Sequence, residues 1–196
     1  LKQDVIEEVL RIYGFDNLES LPLNLSLAVV HDTRFLLENY LKNKFSKAGF
    51  TEMFTYTFTD KGSAKVKLGL ASDKEYLREN LVDSALAAYT KNYNFTPVLQ
   101  TEILKFFEIG TVFYDTDREE KRCILVCDDG KKKTKYSEDL EKLLSEVSAE
   151  LGVSAIEIIS RNEKPALVEF SIDKLVKEIE NKNITIPFTD FNRNLQ

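Results

Sequence analysis

Three carboxylates open the chain at a spacing that carries chemistry: Asp4, Glu7 and Glu8 stand at i, i+3 and i+4. On a helix they share one face, with Val5, Val9, Leu10 and Tyr13 on the other. Clustered carboxylate oxygens suit a hard cation such as Mg²⁺, with waters completing the octahedron. They also suit a first helical turn for plainer reasons: acids there complement the helix dipole, and Glu7 can pair with Arg11 at i+4. Other chemistries have less to work with. His31 is the only imidazole, so any Ser/His/Asp or Cys/His centre would have to use it. It directly precedes Asp32 and Thr33, which read as a helix start. Cys123 and Cys127 lie four apart in RCILVCD, on one face of a strand but too far apart to bridge easily. With His31 they show no zinc spacing. They read as buried, reduced thiols that fit a cytoplasmic location. The seven glycines are never clustered, so no phosphate-cradling G-x-G-x-x-G or G-x-x-x-x-G-K-[ST] loop can be written. The run DDGKKKTK at 128–135 reads as a turn and solvated loop; the lysines between Lys131 and Lys135 could touch phosphates.

Hydrophobic period and chain breakers give the elements that position these groups. Residues 3–13 read as an amphipathic helix ended by Gly14, followed by a loop around Pro22 and the extended run LSLAVV. Asp32-Thr33 caps a helix to residue 48 with Phe35, Leu36, Tyr40, Leu41 and Phe45 as its apolar positions. TEMFTYTFT (51–59) reads as a strand, then a short strand near 66–70 and a helix over 78–94. KFFEIGTVFYD (105–115) reads as two strand-like halves about a bulge-like Gly110. A strand at 122–127, a helix at 137–152 with Leu140, Leu143, Leu144, Val147 and Leu151 inward, strands near 155–160 and 166–171, and a helix at 172–181 precede a polar tail. Strands outside regular βαβ alternation predict an α+β fold, a mostly antiparallel sheet flanked by helices.

Composition narrows the functions. The chain has 196 residues, 27 Lys+Arg against 33 Asp+Glu, and 43% hydrophobic residues. That balance is globular, and a chain of this size buries about 70% of its unfolded surface without staples. A net charge of −6 argues against a body that grips nucleic acid by bulk electrostatics. No apolar run approaches the ~20 residues that span a bilayer. The N-terminus LKQDVIEEVL has neither a signal-peptide core nor an initiator Met, and reads as a piece cut from something longer.

DVIEEVLRIYGFDNL (4–18) resembles the segment D-L-I-E-E-V-A-R-I-Y-G-Y-D-N-I that closes the DNA-binding-fold domain of the phenylalanyl-tRNA synthetase β subunit. KAGFTEMFTYTF (47–58) resembles that family's G-F-x-E-x-x-T-Y-S-F strand. YLRENLVDSALAAYTKN (76–92) and FFEIGTVF (106–113) resemble its L-R-x-S-L-x-x-G-L-L helix and F-E-I-G-x-V-F strand. The motifs arrive in order over residues 4–114; beyond them only LVEFSIDKLV (167–176) looks familiar.

The resemblance implies residues 1–20 as the end of the preceding domain and its linker, and 21–196 as a core like that of a class II aminoacyl-tRNA synthetase but not catalytic. It implies a core module of phenylalanine–tRNA ligase, an (αβ)₂ tetramer that attaches phenylalanine to its tRNA using ATP. It carries Mg²⁺ ligation, shared with the α subunit, to Asp4, Glu7 and Glu8; a further family aspartate lies upstream of this chain, leaving the site incomplete. A class II centre holds the ATP α-phosphate with an Arg two residues before a strand Glu, whereas Glu108 is preceded there by Phe106. The Arg that would hold the γ-phosphate has no counterpart either. Without guanidinium clamps the developing charge has no stabiliser, so the holoenzyme uses ATP and this chain is expected not to bind it. Aromatic stripes, with Phe35, Tyr40, Phe45, Leu81, Leu86, Tyr89 and Tyr93, would serve the core or docking onto α. Contact with tRNA is expected through the holoenzyme and none with a membrane. The alternative is a stand-alone synthetase-like scaffold without ligase activity. A self-contained small-molecule enzyme has no catalytic constellation to support it.

Overall fold

The computed structural model describes residues 1–21, 32–67, 74–96, 98, 101–115, 117–129 and 136–187. His31, Pro22, the LSLAVV run, the lysines at 131–135 and the tail from 188 lie outside the described residues. The chain divides into two units, Leu1–Val30 and His31–Gln196.

In the first unit, α1 (Lys2–Tyr13) matches the expected helix. Gly14 ends it at φ 92°, a conformation that favours glycine, and donates its N–H to Leu10 O at 2.8 Å. A single 3₁₀ turn, Phe15–Asn17, follows. No residue of α1 is buried.

The second unit is a five-stranded sheet carrying helices, in the order β1-β4-β5-β7-β6. Its strands are β1 (Thr51–Glu52), β4 (Leu104–Phe113), β5 (Glu119–Asp128), β6 (Ile158–Glu163) and β7 (Ala166–Ser171). Only β1–β4 is parallel, so the α+β, mainly antiparallel expectation holds. A second small sheet pairs β2 (Phe58–Thr59) with β3 (Tyr76–Leu77). The helices are α2 (Thr33–Lys47), α3 (Val82–Tyr93), α4 (Ser137–Leu151) and α5 (Ile172–Asn181). Asp32 caps α2 by accepting from the N–H groups of Arg34 (2.9 Å) and Phe35 (3.3 Å).

The pleat splits the apolar residues between two faces. Phe107 and Ile109 of β4, Cys123, Leu125 and Cys127 of β5, and Val168 and Phe170 of β7 join α2, α4 and α5 in the larger core. Phe45 packs edge-on to Phe107, centroids 5.5 Å apart. Both thiols are buried there and free, as the plain reading held. The opposite face is smaller: Val112, Ile124, Val126 and Leu167 lie beneath Leu81 and Ala85.

Several expectations need correction. TEMFTYTFT is not one strand; only its ends pair, because Thr55 spends its N–H and hydroxyl on the Glu108 carboxylate instead of a ladder. Of the strand near 66–70, residues 68–70 lie outside the described residues; Val66 donates its N–H to Glu75 O at 2.8 Å, next to an isolated bridge between Lys65 and Tyr76. Gly110 makes no bulge: β4 runs in unbroken register with β5 from Leu104↔Asp128 to Phe113↔Glu119. Helix α3 starts at Val82 rather than 78, because residues 78–81 bond elsewhere and Asn80 caps the Asp83 N–H at 3.0 Å. On α2 the buried set is Leu37, Tyr40, Leu41 and Phe45 while Phe35 is exposed; two residues turn a helix about 200°, which opposes Phe35 to Leu37.

Candidate functional site

The smaller face of the sheet concentrates buried charge. In antiparallel pairs, directly opposite residues project to the same side. The register therefore makes one row of Glu108, Ile124 and Glu169 and the next of Gly110, Arg122 and Ser171. Glu108, Glu169 and Arg122 are all buried, and a buried ion needs a partner and hydrogen bonds to be tolerated.

Glu108 finds its partner in Arg78, just before α3. Arg78 Nη1 donates to Glu108 Oε1 and to Thr55 Oγ1, both at 2.8 Å, and Nε donates to Thr111 O at 2.9 Å. Thr55 Oγ1 in turn donates to Glu108 Oε2 at 2.6 Å. The Arg78 backbone is also bound: its N–H reaches Thr57 O at 3.0 Å, and its carbonyl accepts from Phe113 N at 2.8 Å. Gly110 makes room for the guanidinium. A Cβ there would overlap Arg78 Nη2 and stand 3.0 Å from Leu81 Cδ2 and 3.1 Å from Glu108 Oε1.

Glu169 anchors the start of α3 by accepting the Leu81 N–H at 2.9 Å. Arg122 Nη1 lies 3.5 Å from Glu169 Oε2, and Arg122 Nε donates to Glu120 Oε2 at 2.8 Å. Burial alone would raise the Glu120 carboxyl, but hydrogen bonds from Ser171, Tyr114 and Arg122 hold it below the usual carboxylate range. Burial likewise raises the Tyr114 hydroxyl, reinforced by its bond to Glu120. Two arginines thus meet three carboxylates beneath Leu81 and Ala85, and Ser171, Tyr114, Thr55 and the Leu81 N–H supply further hydrogen bonds to the carboxylates.

Beside this network opens a cleft of about 710 Å³, lined by Asp60, Lys61, Arg78, Glu79, Asn80 and Asp83 among others. Its charge is mainly acidic: Arg78 is committed to Glu108, which leaves Lys61 against three carboxylates. Glu79 accepts from Ser63 N at 2.7 Å and from the Ser63 hydroxyl, which holds its carboxyl low.

The carboxylates read as metal ligands sit on α1. Glu8 accepts from Arg11 Nη1 at 2.9 Å; the expected Arg11 partner, Glu7, gives way to Glu8. All three are exposed. Among the described residues no group of three or more His, Cys, Asp or Glu is gathered to hold a metal. As donors they suit a hydrated Mg²⁺ that draws further ligands from elsewhere, not a closed cage. The buried network was not visible in residue spacing. Its signal was Glu108 and Glu169 standing alone inside apolar strand runs, FFEIG and LVEFS.

Comparison with known proteins bears on these features. The family model of the phenylalanyl tRNA synthetase beta chain CLM domain matches residues 21–176. A phenylalanine–tRNA ligase beta subunit from Syntrophus aciditrophicus is 32% identical over 126 residues, covering 56% of this chain and 15% of the relative. Those from Helicobacter hepaticus and Bacteroides thetaiotaomicron are 33% identical over 135 residues and 30% over 152, covering 61% and 69% of this chain and 16% and 17% of the relatives. The chain thus spans about a sixth of these relatives' length. A crystal structure of pyrrolysyl-tRNA synthetase from Desulfitobacterium hafniense superposes with a TM-score of 0.53 at 14% identity, over 77% of this chain and 70% of that one. The shared architecture is that of a class II aminoacyl-tRNA synthetase core. Among the described residues, no helix is long and apolar enough to cross a membrane.

Proposed function

The chain belongs to the phenylalanyl-tRNA synthetase beta chain CLM-domain family, and on that premise we propose that it is the core module of the β subunit of a cytoplasmic phenylalanine–tRNA ligase. The holoenzyme, an (αβ)₂ tetramer, attaches phenylalanine to its tRNA with ATP; this module serves assembly with the catalytic α subunit and leaves ATP to its partner. One observation carries the reading: the sheet face that bears Glu108 and Glu169 is filled by residues 78–86 of the same chain, with both guanidinium groups committed to carboxylates. A triphosphate needs uncommitted cations aimed at its charge. The neighbouring cleft offers Lys61 against Asp60, Glu79 and Asp83, which repels a polyanion. Asp4, Glu7 and Glu8 supply carboxylate oxygens to an Mg²⁺ whose other ligands come from α, as hard-cation coordination allows.

Phenylalanine-dependent ATP–pyrophosphate exchange, on the chain alone and mixed with its α subunit, tests this together with gel filtration of the mixture. Silence alone and a stable complex with α are expected. Exchange by the chain alone, or silence with no complex, refutes the assembly role. Glu8→Ala should weaken association across an Mg²⁺ titration and leave the circular dichroism unchanged; unchanged association removes the three carboxylates from the metal site.

A further inference from the structure

A lysine stands on the larger-core side of the sheet without an acid beside it. Lys105 lies opposite Cys127, and Cys127 opposite Ala166, so all three project to one side. Cys127 and Ala166 belong to the larger core, which puts the half-buried Lys105 side chain on that side as well. Its ammonium donates to Ala48 O at 3.3 Å and sits 5.5 Å from the centre of the Phe50 ring. Among the described residues no carboxylate pairs with it. An ammonium carries three donors, so one carbonyl leaves two of them for another acceptor.

Beside the ammonium opens a cavity of about 240 Å³. Phe50, Cys127 and Leu140 are buried, Leu143 partly so, and they give it apolar walls. Its acidic lining residues, Asp139 and Glu146, stand on the exposed side of α4, with Lys142 between them at i+3 and i+4 spacing. Water and salt screen charges there, whereas Lys105 acts from a half-buried position of lower dielectric. The interior therefore favours an anion. Apolar walls exclude a strongly hydrated dianion such as phosphate. A carboxylate with a hydrocarbon body meets both demands: its two oxygens accept from the two remaining donors, and its body covers Phe50, Leu140 and Leu143. The volume equals about eight waters at ~30 Å³ each, room for an acid of about ten non-hydrogen atoms. We propose that this cavity binds a small carboxylate with an apolar body, anchored by Lys105. Lys105 takes no part in the buried network, in the Mg²⁺ ligands or in the cleft beside residues 78–86, so this site stands whether or not the assembly role does.

The test is a proton–nitrogen correlation NMR titration of the whole 196-residue chain with sodium octanoate, an acid of that size. Saturable shifts are expected at Ala48, Phe50, Lys105, Cys127 and residues 139–143, with dissociation in the millimolar range or tighter, as so few atoms allow. Methyl octanoate keeps the body and loses the charge, and should bind at least about tenfold more weakly. Lys105→Met should weaken octanoate by a similar factor, while Lys105→Arg keeps it. Unchanged urea midpoints separate loss of the site from unfolding, and the ester reports on the anchor without any substitution. The proposal is overturned if octanoate gives no saturable shift, if the shifts scatter away from Lys105, or if the ester binds as well as the acid. Octylamine binding as tightly as octanoate also overturns it, because Asp139 and Glu146 would then set the sign of the ligand.

Discussion

Gly110→Ala tests the buried network with a single methyl group, and even the sign of its effect is diagnostic. A glycine inside a strand is ordinarily about 0.5–1 kcal/mol less stable than alanine there, so the bare backbone effect is a gain. The structure requires a loss. The new Cβ overlaps Arg78 Nη2 and crowds Leu81 Cδ2 at 3.0 Å, and the side chains of Arg78 and Glu108 are only 6% and 2% exposed. Moving the guanidinium aside strips Glu108 of its 2.8 Å partner, and breaking a buried pair from one side costs about 3–5 kcal/mol. Against that the ~1 kcal/mol gain is minor. For a chain of this size the net loss of about 2–4 kcal/mol lowers Tm by roughly 4–16 °C, read by calorimetry with urea midpoints at constant m as a check. An Arg78→Met background should remove most of the Gly110→Ala penalty, because the overlapping group is gone; a double-mutant cycle reads the coupling directly. A neutral or stabilising Gly110→Ala, or effects that simply add, would show that the guanidinium does not rest on Gly110.

Two further outcomes follow from electrostatics. Glu178 accepts from Lys182 Nζ at 2.6 Å and Ser154 N–H at 2.7 Å, which hold its carboxyl down at about 2. A depressed folded-state pKa adds stability above the unfolded value of about 4.3, lost as pH falls from there toward 2. Glu178→Gln should therefore flatten the fall of urea midpoints over that window, and an unchanged slope would contradict the assignment. Burial pushes the Cys127 thiol up to about 11 and Cys123 well above its ordinary value. Both should ignore a disulfide reagent at about pH 8 in the native state and titrate only in denaturant; rapid native labelling would place a thiol at the surface.

What the sequence disclosed and what it hid divide along a physical line. Helices α4 and α5 and strand β7 were legible because their order rests on short-range period. Leu140, Leu144, Val147 and Leu151 recur at helical spacing and are all buried, and Ser171 caps α5 by accepting from Lys174 N at 3.2 Å. The errors share a different cause. TEMFTYTFT has strand composition throughout, yet its middle leaves the ladder because one hydroxyl, that of Thr55, bonds a carboxylate 53 residues away. Gly110 looked like a bulge because local rules offer that reason for a strand glycine; the actual reason is a guanidinium arriving from 32 positions earlier. Helix α3 begins late because Arg78 and Leu81 satisfy partners on β4 and β7 first. Long-range polar pairing decides each case, and no window of local sequence contains both partners. A warning was nonetheless present: Glu108 and Glu169 sit alone at inward positions of apolar strands, and carboxylates there are unstable unless paired. Two such acids demand cations, and Arg78 and Arg122 each lie beside an apolar run. The pairing itself, Arg78 with Glu108 and Arg122 with Glu169, becomes readable only once the sheet register sets the glutamates in one row and Gly110 with Arg122 in the next. A site of that kind is specified by topology, and its residues explain why residues 78–86 close over this face of the sheet.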